Sequence, residues 1–355
     1  MSGGPFKGAT VRIATQQERE GLVHHESRNV WLTSAVLWQR AVIPAVRCGR
    51  YDAIIMLGDP HYLSTWAGAL VARMRGTPVL FWSHGIKRQE TGLTRIIKRA
   101  FYALADAHLV YDRHARTMMR SALNIKCPIV TIWNSLDFDR QDEILAQLEN
   151  ASTLFKNDTL NLISIGRLTP RRRIDTVICA LAALRKSGMD INLTIIGDGP
   201  ERGPLEALAR SLRVNDGVDF MGAVYDEVAT ATALFKADLM VSPGPIGLPA
   251  VHAHSLGCPV LTVADRTIQM PEVEVIVPGE TGILIESITS EAVQNGIRDW
   301  FAVPRDRAAI RRRCRAEVAA RWTPPRQKVL IEGAVQSVLH DTIRQNASCG
   351  SGQDI

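Results

Sequence analysis

Cysteine is scarce and unpatterned in this chain. Six residues in 355, at 48, 127, 179, 258, 314 and 349, show no CxxC spacing and no His/Cys cluster. That excludes a zinc ribbon and argues against a disulfide framework. Reduced, largely buried thiols in a cytosolic protein are the expectation. No stretch approaches 18 uninterrupted apolar residues, so no membrane-spanning helix is expected. The opening MSGGPFKGATVRIAT also lacks the apolar run of a secretory leader. No GxGxxG follows the first strand-like run, which removes the main sign of a dinucleotide. No carboxylate pair with ligand spacing is present, so no metal is expected. The basic residues have no interleaved aromatics and no known nucleic-acid motif, so no nucleic-acid partner is expected.

What is present points to a two-domain globular enzyme or binding protein. A length of 355 residues exceeds one ordinary core. Apolar content of 46%, 22% charged residues and a net charge of +6 allow an acidic substrate or an anionic membrane without requiring either. Strand-like runs at 11–15, 51–57, 78–84, 107–111 and 129–133 alternate with helical periodicity at 31–47, 62–75, 93–104 and 113–123. A break at 134–137 and a polar helix at 139–158 follow. The rhythm then restarts, with strands at 161–165, 191–196, 218–221, 238–242, 259–263 and 282–285. Helices fall at 174–186, 204–212, 226–235, 248–256, 290–301 and 305–320. The alternation predicts two α/β units, each a parallel sheet covered on both faces. The expected division is 1–150, 151–322, a helix at 323–345 set off by Pro324-Pro325, and a small polar tail at 346–355 that is expected to be disordered. Two such units would place a ligand cleft between the carboxyl ends of their strands.

Three glycine turns in the second half carry chemistry. Pro243-Gly244-Pro245-Ile246-Gly247 separates a strand from a helix beginning at Leu248. It would aim backbone N–H groups and the helix's positive end at an anion. An ordinary βαβ connection is the plainer reading, at even odds on this stretch alone. Gly166-Arg167-Leu168 closes a strand and is followed by Arg171, Arg172 and Arg173. Guanidiniums there could grip a diphosphate, or form a solvated basic turn. Gly197-Asp198-Gly199 is a weaker signal of the same kind.

The ordered segments IGRLTPRRRID, IIGDGPER, DLMVSPGPIGL, HAHSLGCPVL and PEVEVIVPGETGILI resemble the glycosyl transferases group 1 family, retaining enzymes of the GT-B fold. The resemblance covers roughly residues 160–300; the first half matches in pattern and in the FWSHG strand end. It implies two Rossmann-like domains, the first binding the acceptor and the second the nucleotide sugar. It implies that Arg167 and Arg172 hold the donor diphosphate and that His84 faces the transferred sugar. Gly166, Gly199, Gly244, Ile246, Gly247, Leu248, His252 and Glu272 would line the donor. The nucleotide sugar (UDP or GDP) is a co-substrate, and neither cofactor nor metal is implied. The last helix would cross back to the first domain.

The chain departs from that pattern where the family has two glutamates eight positions apart: here stand Gly244 and His252. An imidazole offers a ribose one acceptor and one donor, whereas a carboxylate accepts from both hydroxyls. His252 could make one contact, Glu272 or Glu274 could take over, or activity could be lost; compensation is the favoured expectation. Gln16 to Gly21 stand where the family has a Gly-Gly turn. Lys87, Arg88, Arg95, Lys98 and Arg99 accompany Leu93, Ile96, Ile97, Phe101 and Leu104 on one helix. That surface is compatible with peripheral association with an anionic membrane at its inner face, or with a helix packed on the sheet. Two alternatives to the transferase remain: a silent nucleotide-sugar-binding homologue and a nucleotide-sugar epimerase.

Overall fold

The structure, a computed structural model, describes residues 27–150 and 159–350. The expected strand at 11–15, the Gln16–Gly21 turn and the last five residues lie outside them. The chain falls into two compact units, Met1–Ile132 with Leu330–Ile355, and Trp133–Val329.

The first unit opens with a short antiparallel pair, β1 (Asn29–Trp31) and β2 (Leu37–Gln39), then α1 (Val42–Cys48). A single helix over 31–47 was expected; the structure corrects this. The Thr33 hydroxyl accepts from the N–H of Ala35 and Val36, and Leu32 N–H donates to Val36 O. That local turn competes with helix and folds the segment back. The regular alternation follows: β3 (Ile54–Leu57), α2 (Leu63–Met74), β4 (Val79–Ser83), α3 (Gly92–Tyr102), β5 (Ala107–Val110), α4 (Arg113–Leu123) and β6 (Ile129–Thr131). The four strands β3 to β6 form a parallel sheet in sequence order. Successive β4 residues face opposite cores. Phe81 stacks on Phe101 with ring centroids 4.7 Å apart, while Leu80 joins Leu109, Ile132, Ala334 and Val338.

The second unit contains α5 (Phe138–Asn150), β7 (Leu160–Ile165), α6 (Ile174–Lys186), β8 (Ile191–Ile196), α7 (Arg202–Ser211), β9 (Val218–Gly222), α8 (Glu227–Lys236), β10 (Leu239–Val241), α9 (Leu248–Ser255), β11 (Val260–Val263), β12 (Gly282–Ile285), α10 (Ser290–Ala302) and α11 (Arg307–Arg321). Its six strands are parallel, in the order β12-β11-β10-β7-β8-β9. The chain winds outward from β7 through β9, then returns to the other side of β7 at β10. The carboxyl ends of β7 and β10 therefore form the topological switch point, where open parallel sheets leave a crevice for ligands.

The last helix, α12, runs Pro324–Gly350. The expected break is there: α11 ends at Arg321, Trp322 and Thr323 are non-helical, and Pro324-Pro325 occupy the first turn of α12, where a missing N–H costs nothing. The helix also extends through 346–350, where a disordered tail was expected.

Each unit buries one neutral histidine. Burial holds His108, in β5, at a pKa lowered to about 4, with Arg120 adding to the shift, and His254, in α9, lowered to about 3. Both rings are fully buried, and among the described residues their nitrogens make no hydrogen bond of good geometry; weak backbone contacts at Tyr102 and Cys258 oppose the shifts only in part. A group whose folded pKa is depressed takes up its proton first in the unfolded chain. Stability is therefore full above the unfolded value near 6.5 and falls as pH drops toward the folded value. Between pH 7.5 and 5.5 each histidine should cost about 1.4 kcal/mol. Urea melts at the two pH values should show this loss, and His254→Leu should flatten the profile of the second unit.

Candidate active site

The predicted residues of the second unit converge on its switch point. Gly166 leaves β7 at φ 140°, and its N–H donates to Ile196 O at 2.9 Å. Leu168 N–H donates to Asp198 O at 2.9 Å, and a Cβ on Gly199 would stand 2.3 Å from Leu168 O. The Gly166 and Gly197 loops are thus laced backbone to backbone, with room for no side chain at Gly199. This backbone frame carries Arg167, which is exposed and has no hydrogen bond or ion pair among the described residues. Arg172 instead folds inward. Its Nη1 donates to Pro245 O at 2.5 Å, and a Cβ added to Gly166 would stand 3.3 Å from its Nη2. Burial, then the neighbouring Arg171, pulls its pKa down. Arg173 turns away in the left-handed region (φ 56°) and pairs with Asp175. Of the three consecutive arginines, only one binds the turn after β10.

That turn is rigid because of a residue the sequence reading did not single out. Gln269, buried in the loop after β11, accepts from Ile246 N–H at 3.0 Å. Its Nε2 donates to Thr262 Oγ1 at 2.7 Å and to Val263 O at 3.0 Å. Nothing in TIQMPEV signals this, since an amide in a loop looks like any polar surface residue. The turn therefore offers less than expected: Ile246 N–H is engaged, and Pro245 and Pro249 have none. The N–H groups of Gly247 and Leu248, at the start of α9, have no acceptor among the described residues. They are the two amides available to an anion.

Glu272 stands beside them in the 3-10 turn Pro271–Val275. It is 4% exposed, and its Oε1 accepts from Asn134 Nδ2 at 2.8 Å. Its Oε2 has no partner among the described residues and would lie 3.9 Å from a Cβ on Gly247. Asn134 is itself fixed: Trp133 adopts φ 59°, and its carbonyl accepts from Gln327 Nε2 at 2.5 Å.

The two departures from the glutamate pattern behave differently. A Cβ on Gly244 would meet Arg171 O at 2.3 Å and Arg172 Cα at 3.0 Å. The arginine-bearing turn occupies the space a side chain would need. His252 lies one turn into α9, with Nε2 3.0 Å from Gln141 Oε1. Gln141 Nε2 in turn donates to Glu227 Oε1 at 2.7 Å, so His252 Nε2 is the donor of its pair. Burial lowers the imidazole's pKa, opposed by Glu227. The structure groups Gly166, Arg167, Arg172, Gly199, Gly244, Ile246, Gly247, Leu248 and Glu272, and ties His252 to α5.

His84 belongs to the first unit, just past β4. It is exposed, with its ring 4.8 Å from that of Tyr111. A cavity of about 410 Å³ opens there at the carboxyl ends of β3 and β4, lined by Asp59, His61, His84, Lys98, Tyr102 and Tyr111 among others. Among the described residues no group of three His, Cys, Asp or Glu is placed to hold a metal.

Residues 147–317 match the family model described as Glycosyl transferases group 1. Over 196 residues the chain is 32% identical to a GDP-mannose-dependent alpha-(1-6)-phosphatidylinositol dimannoside mannosyltransferase of Mycobacterium tuberculosis. The match covers 54% of the chain and 47% of the relative, so the chain aligns with about half of that relative's length. It is 28% identical over 281 residues to the corresponding monomannoside mannosyltransferase of Mycolicibacterium smegmatis, covering 72% of the chain and 71% of the relative. In fold it resembles a glycosyltransferase from Rickettsia africae (TM-score 0.66, 14% identity, 84% of this chain and 80% of that one). It also resembles Anabaena HepE in complex with UDP (TM-score 0.60, 17% identity, 87% and 81%). The expected fold class, α/β of the GT-B type with two Rossmann-like units of parallel strands, is the one observed.

Proposed function

We propose that the protein is a retaining glycosyltransferase that moves a hexose from a nucleoside-diphosphate sugar to a hydroxyl of a glycan or lipid-linked glycan. The observation that carries this reading is the switch point of the second unit. There Arg167, with no partner among the described residues, the turn-bound Arg172 and the N–H groups of Gly247 and Leu248, with no acceptor among them, all stand in the loops that follow the carboxyl ends of β7 and β10. Two guanidiniums and a helix N-terminus suit a diphosphate, and they would stabilise its charge as it departs. The diphosphate charge is then met by protein groups without a metal or cofactor. The bond from the anomeric carbon to the phosphate oxygen breaks as the acceptor oxygen bonds to the same face. The acceptor's proton passes to the leaving phosphate oxygen, which gives retention.

Relatives named as GDP-mannose-dependent transferases acting on phosphatidylinositol mannosides make GDP-mannose the first donor to test and a lipid-linked glycan the first acceptor class. With a nucleotide sugar as donor and a lipid-linked glycan as acceptor, the enzyme would work in the cytoplasm, peripheral at the inner face of the membrane. Among the described residues no helix is long and apolar enough to cross a membrane. The test is a panel of GDP- and UDP-sugars, scored by thermal shift and then by donor hydrolysis and transfer. Slow hydrolysis of one donor, with retained configuration in the transferred product, is expected. Binding without turnover would replace this reading with a silent nucleotide-sugar-binding homologue, the reading that Gly244 and His252 favour. An altered sugar without an acceptor would replace it with an epimerase.

A further inference from the structure

We propose that α3 (Gly92–Tyr102) is the surface by which the first unit docks on an anionic lipid bilayer. This rests on the lipid-linked acceptor of the reading above. The sequence allowed two fates for this helix: packed on the sheet with a solvated basic edge, or apolar side outward. The structure favours the second. Only Phe101 and Tyr102, at its end, are buried. Leu93, Ile96 and Ile97 are 69%, 64% and 44% exposed, and every residue from 91 to 100 except Lys98 is exposed. Positions 93, 96, 97 and 100 recur at the spacing that lines one face of a helix, so an apolar stripe faces solvent. Isolated exposed leucines need no explanation, but a contiguous stripe on a strongly amphipathic helix marks a contact surface.

Charge selects the occupant. Residues 84–126 hold nine lysines and arginines against three acidic residues, so this stretch alone carries the +6 of the whole chain, and the remainder is neutral in sum. The flanking cations are not all tied down. Arg95 donates to Ala122 O and Lys98 pairs with Glu90, whereas Arg88 and Arg99 are exposed and without partners among the described residues. On the helix, Arg99 lies next to Ile96, beside the stripe, and α4 adds exposed Arg113, Arg116 and Arg120 nearby. Apolar residues that enter the acyl boundary, ringed by arginines at headgroup level, form the pattern of an interfacial helix. A second protein would satisfy the stripe but leaves the concentration of positive charge without a counterpart.

The test is co-sedimentation of the full chain with vesicles of phosphatidylcholine alone or with 30% phosphatidylglycerol, beside Ile96→Asp and Arg88→Glu/Arg99→Glu. The wild type should bind the anionic vesicles at least ~10-fold more than the neutral ones and lose most binding at 0.5 M NaCl. Each variant should lose ~10-fold or more. The substituted residues are exposed, so melting should be unchanged; this is checked by circular dichroism. Donor hydrolysis in the absence of lipid should also be unchanged, which separates this surface from the donor site. Absent binding by wild type, equal binding to both vesicle types, or unaltered binding by Ile96→Asp overturns the proposal. So does a wild-type dimer that Ile96→Asp dissociates without any vesicle binding. Vesicle binding without any sugar transfer would overturn the transferase reading and leave the lipid surface standing.

Discussion

Arg167→Ala should lower kcat/KM for sugar transfer by about 10²- to 10⁴-fold while the melting temperature stays within a degree or two of wild type. Both halves of that expectation come from its surroundings. The guanidinium is exposed and makes no hydrogen bond or ion pair among the described residues, so the folded protein loses nothing when it is truncated. If it makes two charge-assisted bonds to the departing diphosphate, their loss at ~1.5–3 kcal/mol each gives the stated range. Arg172→Ala separates the two effects. Its Nη1 holds Pro245 O, and removal leaves that buried carbonyl unpaired, at a cost of about 1–3 kcal/mol in stability as well as activity. Steady-state kinetics with thermal melts on both variants decide. Near-normal turnover by Arg167→Ala would remove it from the mechanism and leave the switch point without a free cation.

How far the sequence carried these assignments depended on whether the relevant signal was local. Strand, glycine turn and helix are local patterns, so the turns at 166–168 and 243–247 were legible. The α4, α6, β8 and β12 boundaries coincided with the expected ones. Their convergence was not legible, because only the return of β10 to the side of β7 makes Gly166 and Gly247 neighbours. The hairpin at Asn29–Gln39 was misread as helix because Trp31, Ala35, Trp38 and Val42 fit a helical period. A hydroxyl at Thr33 decided otherwise. The apolar stripe of α3 was visible as periodicity, but periodicity does not say which side of a helix meets the sheet. Gln269 was invisible altogether. Its role comes from an amide donating to and accepting from groups six to twenty-five residues away.

Restoring the family's first glutamate should fail, and Glu272 should account for the loss. Gly244→Glu drives a Cβ to within 2.3 Å of Arg171 O, backbone against backbone, so the turn must shift. Overpacking of that kind costs about 1–3 kcal/mol or more and would displace Arg172 from Pro245. The variant should melt lower and bind donor more weakly. A gain in affinity would show that the glutamate position is merely vacant. The carboxylate that the site does hold is Glu272, whose buried Oε2 lacks a partner beside the free amides of α9. A buried acceptor without a donor is costly, and a hydroxyl of the bound nucleotide sugar would satisfy it. Glu272→Gln keeps the bond from Asn134, because an amide oxygen still accepts from Nδ2, but turns Oε2 into a donor. It should weaken GDP-mannose or UDP-glucose binding by about 5- to 100-fold in calorimetry. Asn134→Ala should weaken binding less, since it loosens the carboxylate without removing it. His252→Ala supplies the control. Its Nε2 is spent on Gln141, so the loss should fall mainly on stability through the α5 contact. If His252→Ala abolishes donor affinity and Glu272→Gln leaves it intact, the hydroxyl is held from within α9, and Glu272 serves only to anchor Asn134.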